Sequence, residues 1–234
     1  MKKHSIKLED EEISAVHTSG NSEKWMFFCH GFADTKERSM QPLAKKFNER
    51  GFNTVVFDFR GNGESSREFQ EATLTSRIED LNAVIDYFGP EKCFVYGTSF
   101  GAKVALHTAV ENDQIDVLVT KAPVTYNQIM DKFRKIVEEQ GEAEFYDKKF
   151  GQKFFDDLDS YSFEKVIKKL EVPTAIFHGS DDTTVHLENS IEALKGFETE
   201  SCLYKMKGEE HSFSEKSEER LIELSVAWIE SFVN

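Results

Sequence analysis

A chain of 234 residues with 39% hydrophobic and 12% aromatic residues can bury a full core without disulfides or metals, which excludes a disordered protein. Its 43 acidic and 29 basic residues give a formal net charge of −14, which argues against nucleic acid or an anionic membrane surface as a partner. Neither a signal-peptide core nor a run of 18 apolar residues is present, so a cytoplasmic location is the default expectation.

Short apolar runs alternate with longer helical patterns along the chain. An N-terminal hairpin is predicted at 5–8 and 12–17. Strands are then predicted at 25–29, 54–57, 93–96, 117–119, 174–177 and 202–206, and helices near 38–50, 74–88, 100–110 and 216–232. This alternation is typical of an α/β protein with a doubly wound, mostly parallel sheet, here with an antiparallel hairpin at its start.

One long segment interrupts the alternation. Between Pro123 and Pro173 the chain is charged and helical in character, without a convincing strand of the sheet. Because connections in such folds are usually a few residues long, this segment is too long for a simple loop. We therefore expect a single domain over 1–234 with a small helical lid inserted at about 124–171. The alternative is an ordinary crossover helix followed by a loop.

The predicted strand at 93–96 runs directly into Gly97-Thr98-Ser99-Phe100-Gly101, and a predicted helix follows. This is the G-x-S-x-G pattern in the strand–turn–helix context of a nucleophilic serine. The sharp turn strains the serine backbone, and the glycines leave room for the neighbouring strand and helix. The alternative is a serine that caps a helix after a glycine turn.

Four further motifs each follow a predicted strand: His30-Gly31-Phe32, Asp58-Phe59-Arg60-Gly61-Asn62-Gly63-Glu64-Ser65, His178-Gly179-Ser180-Asp181-Asp182-Thr183-Thr184-Val185, and Gly208-Glu209-Glu210-His211-Ser212-Phe213. With these motifs in this order, the chain resembles the α/β-hydrolase fold family over nearly its whole length. Within that family it is similar to small bacterial and archaeal esterases of the cinnamoyl (feruloyl) esterase and monoacylglycerol lipase kind.

The resemblance implies a catalytic triad of Ser99 as nucleophile, His211 as base and Asp182 as the acid that orients the base. Asp181 is the neighbouring alternative for the acid. The order Ser, Asp, His along the chain is the one expected of this fold. The resemblance also implies an oxyanion hole made by the backbone N–H groups of Phe32 and Phe100.

Other motif residues are interpreted as structural. His30 is expected to brace its loop, and an Asp58–Arg60 pair is expected to shape the turn after the strand at 54–57. His107 lies in the middle of a helix, where a histidine is more often a satisfied core or surface residue. Cys29 and Cys93 lie within apolar runs, and we interpret them as small buried hydrophobic residues.

These features predict a serine carboxylic-ester hydrolase acting on short-chain or aromatic acyl esters of small molecules. Phe133 and Phe145 of the insert are candidates for substrate binding. No cofactor and no metal are expected, because neither a phosphate-binding glycine loop nor a histidine pair with ligand spacing is present. A peptidase or thioesterase on the same fold, or a non-catalytic ligand receptor, are the alternatives. The sequence leaves open whether the chain forms a homodimer.

Overall fold

The computed structural model describes residues 1–233. The strands are β1 (Lys2–Leu8), β2 (Glu11–Thr18), β3 (Lys24–Cys29), β4 (Asn53–Phe57), β5 (Lys92–Thr98), β6 (Ile115–Lys121), β7 (Glu142–Phe145), β8 (Lys148–Gly151), β9 (Thr174–Gly179) and β10 (Ser201–Met206). The α-helices are α1 (Gln41–Asn48), α2 (Leu74–Phe88), α3 (Phe100–Ala109), α4 (Asp131–Gln140), α5 (Gln152–Leu158), α6 (Phe163–Lys169), α7 (Leu187–Gly196) and α8 (Glu215–Glu230). A π-helical turn, Lys36–Met40, leads into α1.

The main sheet has the strand order β1-β2-β4-β3-β5-β6-β9-β10 within the described residues. β1 and β2 form the N-terminal antiparallel hairpin, and β2 pairs antiparallel with β4. Every pairing from β4 to β10 is parallel. The predicted α/β class, with a mostly parallel sheet and a hairpin at its start, is therefore confirmed. All the parallel strands end at the same edge, so the motifs that follow them meet there.

Strand residues alternate between two hydrophobic clusters, one on each face of the sheet. In β5, Cys93 and Val95 pack into one cluster, whereas Phe94 and Tyr96 pack into the other. This alternation follows from the two-residue period of a strand, and burial on both faces explains the continuous apolar runs of the sequence. The prediction that Cys93 is a buried hydrophobic residue is confirmed, and Cys29 is buried in the same way.

The segment at 124–171 contains α4, α5 and α6 together with a separate antiparallel hairpin of β7 and β8. This hairpin was not predicted, because each strand has four residues and a single buried side chain, too few to show a period. Helix α7 was also not predicted, since one of its three buried residues is a serine. That the segment acts as a lid stays a prediction. No helix within residues 1–233 has the length and apolar character needed to cross a membrane.

Asp58 and Arg60 are both structural, as expected, but they do not pair with each other. The buried Lys36 Nζ lies 2.5 Å from Asp58 Oδ2 and 3.0 Å from Glu64 Oε2. Arg60 instead contacts Asp80 and Glu11. Both residues still fix the loop after β4, but through partners that are distant in sequence.

Replacing Lys36 by methionine is expected to lower the free energy of unfolding by about 3–5 kcal/mol, because it leaves the buried Asp58 carboxylate without its cation. Burial would lower the pKa of Lys36, but hydrogen bonds with Asp58, Glu37 and Glu64 outweigh it and raise the pKa to about 12. The stabilisation is thus complete below about pH 10.5 and is lost as the pH rises through about 12. Urea denaturation at pH 7 measures the effect.

Lys149→Met is the matched control, because Lys149 pairs with Glu142 where both side chains are more than half exposed. We expect this change to lower the free energy of unfolding by less than about 1 kcal/mol. Equal losses for the two variants would contradict the assigned role of Lys36.

Candidate active site

Ser99 occupies the turn between β5 and α3 in a strained backbone conformation. Its φ is 54° and its ψ is −118°, outside the regions that L-residues favour. Its N–H donates to the carbonyl oxygen of Lys121 at 2.9 Å. A Cβ on Gly97 would lie 2.6 Å from Ala102 Cα, and one on Gly101 would lie 2.3 Å from the carbonyl oxygen of Cys29. The expected need for glycine at both positions is confirmed.

Asp182 and His211 are hydrogen-bonded, with 2.7 Å between Asp182 Oδ2 and His211 Nδ1. The other carboxylate oxygen of Asp182 accepts backbone N–H groups from Thr184 at 2.8 Å and Val185 at 2.9 Å. Asp181 is exposed and accepts a hydrogen bond from the neighbouring Ser180 hydroxyl. Of the two adjacent aspartates, Asp182 is therefore the one that holds the imidazole.

The carboxylate of Asp182 is buried but remains in its charged form. Burial alone would raise the pKa of Asp182, yet hydrogen bonds with His178 and His211 and from the Val185 N–H outweigh it and hold the pKa below its ordinary value. A charged carboxylate in this position fixes the imidazole with its proton on Nδ1, which leaves Nε2 free to accept a proton.

Ser99 and His211 line one cavity of about 710 Å³ at the carboxyl edge of the sheet. Within residues 1–233 no direct hydrogen bond joins the Ser99 hydroxyl to the imidazole of His211. Catalytic hydrogen bonds of this kind often tighten only in the Michaelis complex. The cavity has the size that a small organic molecule needs.

The loop with His30, Gly31 and Phe32 is braced from below. His30 Nε2 accepts the N–H of Phe59 at 3.2 Å, so its Nδ1 carries the proton and donates to the carbonyl oxygen of Gly31 at 2.7 Å. The Asn62 amide donates to the carbonyl oxygen of Phe32 at 3.2 Å. These contacts agree with the expectation that His30 braces its loop.

The backbone N–H groups of Phe32 and Phe100 donate no hydrogen bond to any group in residues 1–233. An unpaired N–H at the start of a helix, as at Phe100, is a ready donor for a developing negative charge. The two amides assigned to the oxyanion hole are thus both unengaged, and Ser99 and Phe32 line the same cavity.

A buried arginine that the sequence analysis missed lies behind these two residues. The Arg77 guanidinium is 5.2 Å from the ring centroid of Phe32 and 5.6 Å from that of Phe100. Burial lowers the pKa of Arg77 to about 10, so the side chain stays charged at neutral pH. The sequence signal that could have identified Arg77 is its position three residues after Leu74, which places a charged residue on the apolar face of α2.

The aromatic residues of the insert divide into two groups. Phe145 lines the cavity together with the exposed Tyr146. Phe133 does not line the cavity, and its ring packs 5.5 Å from that of Phe145. The buried members pack into the core: Phe150, Phe154 and Phe155. Of the two residues predicted to bind substrate, the structure thus brings Phe145 to the site and leaves Phe133 behind it.

Two further histidines are buried near other parts of the fold. His178 supports the Asp182 loop, since its Nε2 lies 2.7 Å from the carbonyl oxygen of Val185 and its Nδ1 lies 2.6 Å from the Ser190 hydroxyl. His107 is buried, but its Nε2 has no partner in residues 1–233, so the expectation of a satisfied histidine is wrong. Burial and the nearby Lys103 lower the pKa of His107 to about 3, and it stays neutral.

Gly179 is the last residue of β9, and the backbone just before His211 lies against it. A Cβ here would lie 2.2 Å from the carbonyl oxygen of Glu209 and 2.6 Å from that of Glu210. Gly179→Ala is therefore expected to displace His211 and to lower kcat for ester hydrolysis by roughly 100-fold, as small misplacements of catalytic groups do. Steady-state kinetics with p-nitrophenyl butyrate measure the effect.

The control is Gly89→Ala, at the end of α2, where an added Cβ meets no atom within 4 Å. We expect that variant to lose some stability, because φ at Gly89 is 55°, but to keep its kcat. A Gly179→Ala enzyme with the wild-type kcat would show that this close approach does not position His211.

Similarity to known proteins agrees with this geometry. The sequence model of the family described as serine aminopeptidase, S33, matches residues 20–152. The quorum-quenching protein AidA of Acinetobacter baumannii is 28% identical over 104 residues, which cover 42% of this chain and 34% of that protein. The palmitoyl-protein thioesterase ABHD10 of Pongo abelii is 24% identical over 80% of this chain and 65% of its own length. The chain thus covers only about a third of the length of the first curated relatives, 34% for AidA and 36% for another of them.

Solved structures extend the similarity to the whole fold. Est1E from Butyrivibrio proteoclasticus, determined with ferulic acid bound, superposes with a TM-score of 0.83 at 22% identity, covering 97% of this chain and 99% of that one. At this identity the likeness shows a shared fold. Because the family model matches more than half of the 234 residues, the chain belongs to the serine aminopeptidase, S33, family of hydrolases and has the α/β-hydrolase fold.

Proposed function

We propose that this protein is a serine carboxylic-ester hydrolase that acts on short-chain or aromatic acyl esters of small molecules. The observation that carries the proposal is the 2.7 Å hydrogen bond that the buried Asp182 forms with His211, whose side chain and the strained Ser99 belong to one cavity. A serine, an imidazole and a buried carboxylate at one end of a parallel sheet can perform acyl transfer without a cofactor.

The reaction proceeds in two steps. His211 accepts the hydroxyl proton of Ser99 as the serine oxygen attacks the ester carbonyl, and Asp182 stabilises the imidazolium that forms. The N–H groups of Phe32 and Phe100 bind the oxyanion, each contributing roughly 3 kcal/mol to transition-state stabilisation. The alcohol leaves with a proton from His211, and water then hydrolyses the acyl-enzyme by the same route.

The apolar side of the cavity favours the proposed acyl groups. Phe32 and Phe145 line it, and an aromatic or short aliphatic acyl chain would bury its surface against them. Est1E, which shares the fold, was determined with ferulic acid, an aromatic acid.

Two alternatives change the bond that is cleaved. The ABHD10 relative carries the name of a thioesterase, and the family is described by an aminopeptidase. A third alternative is a ligand receptor that keeps the fold without turnover. Parallel assays with p-nitrophenyl butyrate, butyryl-coenzyme A and an aminoacyl p-nitroanilide separate the three bond types. We expect the oxygen ester to have the highest kcat/KM.

A fluorophosphonate probe tests the catalytic proposal directly, because it phosphonylates only an activated serine. We expect stoichiometric labelling of the wild-type protein and none of Ser99→Ala, as measured by intact-protein mass spectrometry. A folded wild-type protein that remains unlabelled and hydrolyses no substrate of the panel would favour the receptor and exclude the hydrolase.

A further inference from the structure

Lys121 is one of the charged residues that line the cavity of Ser99, together with Arg38, Asp34, Glu210 and Glu218. It is the last residue of β6, next to the end of β5, and its side chain lines the cavity. Its Nζ lies 4.7 Å from the ring centroid of Phe213. Within residues 1–233 this ammonium group donates no hydrogen bond and forms no ion pair. Apart from this ring, the cation therefore has neither a hydrogen-bond acceptor nor a counter-ion among the described residues.

The carboxylates that influence Lys121 are already engaged by other groups. Four of them raise its pKa through their charge: Glu218, Asp182, Glu209 and Asp34. Their partners lie at 2.6–2.8 Å and are, in the same order: Lys46, His211, Ser214 and Arg38. None of these carboxylates approaches Lys121 Nζ to within 4 Å. Their charge favours the ammonium form, but no oxygen atom of theirs satisfies its N–H donors.

Lys121 differs from Lys36 in lacking nearby carboxylate partners. Lys36 is fully buried and lies within 3.0 Å of three carboxylates, whereas the partly buried Lys121 forms no ion pair with any described residue. A buried ammonium without such partners is unfavourable, and burial accordingly lowers the pKa of Lys121. An anionic group that enters the cavity would supply the missing acceptor, and the resulting charge-assisted hydrogen bond would be of the strong kind.

The two sides of the cavity pack with different hydrophobic clusters. Phe32 and Phe145 pack with the hydrophobic cluster on one face of the sheet, whereas Phe213 and Tyr96 pack with the cluster on the other face. Lys121 lies over Phe213 and therefore belongs to the second side. A substrate whose ester carbonyl lies at Ser99 can thus place an apolar group against one side and a charged group against the other.

We propose that Lys121 binds a carboxylate group of the substrate, so that the preferred substrates are esters that carry a free carboxylate. This inference rests on the proposed ester-hydrolase function and specifies its substrate class. Lys121 would act as a binding residue, while Ser99, His211 and Asp182 perform the chemistry. The carboxylate lies on either the acyl part or the alcohol part of the ester, and two substrate pairs separate these cases.

Each pair compares an ester that carries a carboxylate with a neutral ester of similar shape. The acyl-side pair is mono-p-nitrophenyl glutarate and p-nitrophenyl pentanoate. The alcohol-side pair is 4-carboxyphenyl butyrate and phenyl butyrate. The quantity measured is the ratio of kcat/KM for the charged ester to kcat/KM for the neutral ester. For at least one pair, Lys121→Met is expected to lower this ratio by about 10- to 100-fold. Lys121→Arg, which keeps the cation, is expected to restore most of it.

Lys149→Met is the charge-matched control, since it removes one positive charge from an exposed position. It should leave both ratios unchanged, which separates local binding from the effect of net charge. Fluorophosphonate labelling of Lys121→Met verifies that Ser99 is still activated in that variant. If Lys121→Met lowers kcat/KM equally for charged and neutral esters, Lys121 supports the fold or His211 and the inference is wrong, although hydrolysis of the neutral esters would still support the proposed function.

Discussion

Replacing Ser99 by alanine is expected to lower kcat for p-nitrophenyl butyrate by roughly a million-fold, as the loss of a triad serine does in other serine hydrolases. Alanine cannot form the acyl-enzyme, so only the general polarity of the cavity would remain to promote attack by water. The loss is measured with a stopped discontinuous assay over hours, since the residual rate is expected to lie near that of the uncatalysed reaction.

The fold should tolerate this change. Alanine has a Cβ as serine does, so it experiences the same strain at φ 54° and the melting temperature should change little. Ser212→Ala is the neighbouring control, because Ser212 is an exposed serine beside His211. We expect it to keep at least a tenth of the wild-type kcat. Residual activity of Ser99→Ala above a hundredth of the wild-type value, in a preparation free of contaminating esterase, would show that another group is the nucleophile.

Asp182→Asn is expected to lower kcat by roughly 10,000-fold while the backbone geometry is kept. The asparagine amide can donate to His211 Nδ1, which favours the imidazole tautomer with its proton on Nε2. That tautomer cannot accept the proton of Ser99. Asp181→Asn is the matched control on the adjacent residue. Because the side chain of Asp181 is exposed and bonds to Ser180, we expect its kcat to stay within a few-fold of wild type.

The same pair of variants has a distinct pH signature in stability. The pKa of Asp182 is lowered on folding, so its carboxylate stabilises the native state above the unfolded pKa of 3.8, and this contribution is lost as the pH falls through the folded pKa. Asp182→Asn should therefore reduce the free energy of unfolding at pH 7 and by progressively less below about pH 4. If Asp181→Asn instead produced the large kinetic loss, the assignment of the acid would have to be exchanged.

The sheet and the residues of the candidate triad were accessible from sequence because both depend on local patterns. Continuous apolar runs identify strands buried on both faces, and the motif at Ser99 follows such a run directly. Choosing Asp182 over the adjacent Asp181 depended on the resemblance to the family, whose aspartate matches Asp182 when counted from the His178-Gly179 pair. The structure now pairs Asp182 with His211, while the catalytic roles themselves stay predictions until they are measured.

Contacts between distant parts of the chain were not accessible in this way. Asp58 could be recognised as a loop residue, but its partner Lys36 lies 22 residues earlier and no periodicity connects the two. Arg77 and Lys121 were missed for a related reason. A charged residue on an apolar helix face or at the end of a buried strand signals an unusual environment, but only the assembled fold shows which rings and carboxylates surround it.

The aromatic packing around Phe32 has a consequence for chimeric enzymes. The Phe32 ring lies 5.0 Å from Phe150 and 5.1 Å from Phe154, both in the insert, and 5.0 Å from Phe100 beside the nucleophile. Aromatic residues of the insert thus pack against the loop of the proposed oxyanion hole and help to fix its position. Transplanting an insert from another hydrolase would change substrate range and turnover together, unless the graft supplied two rings at these positions.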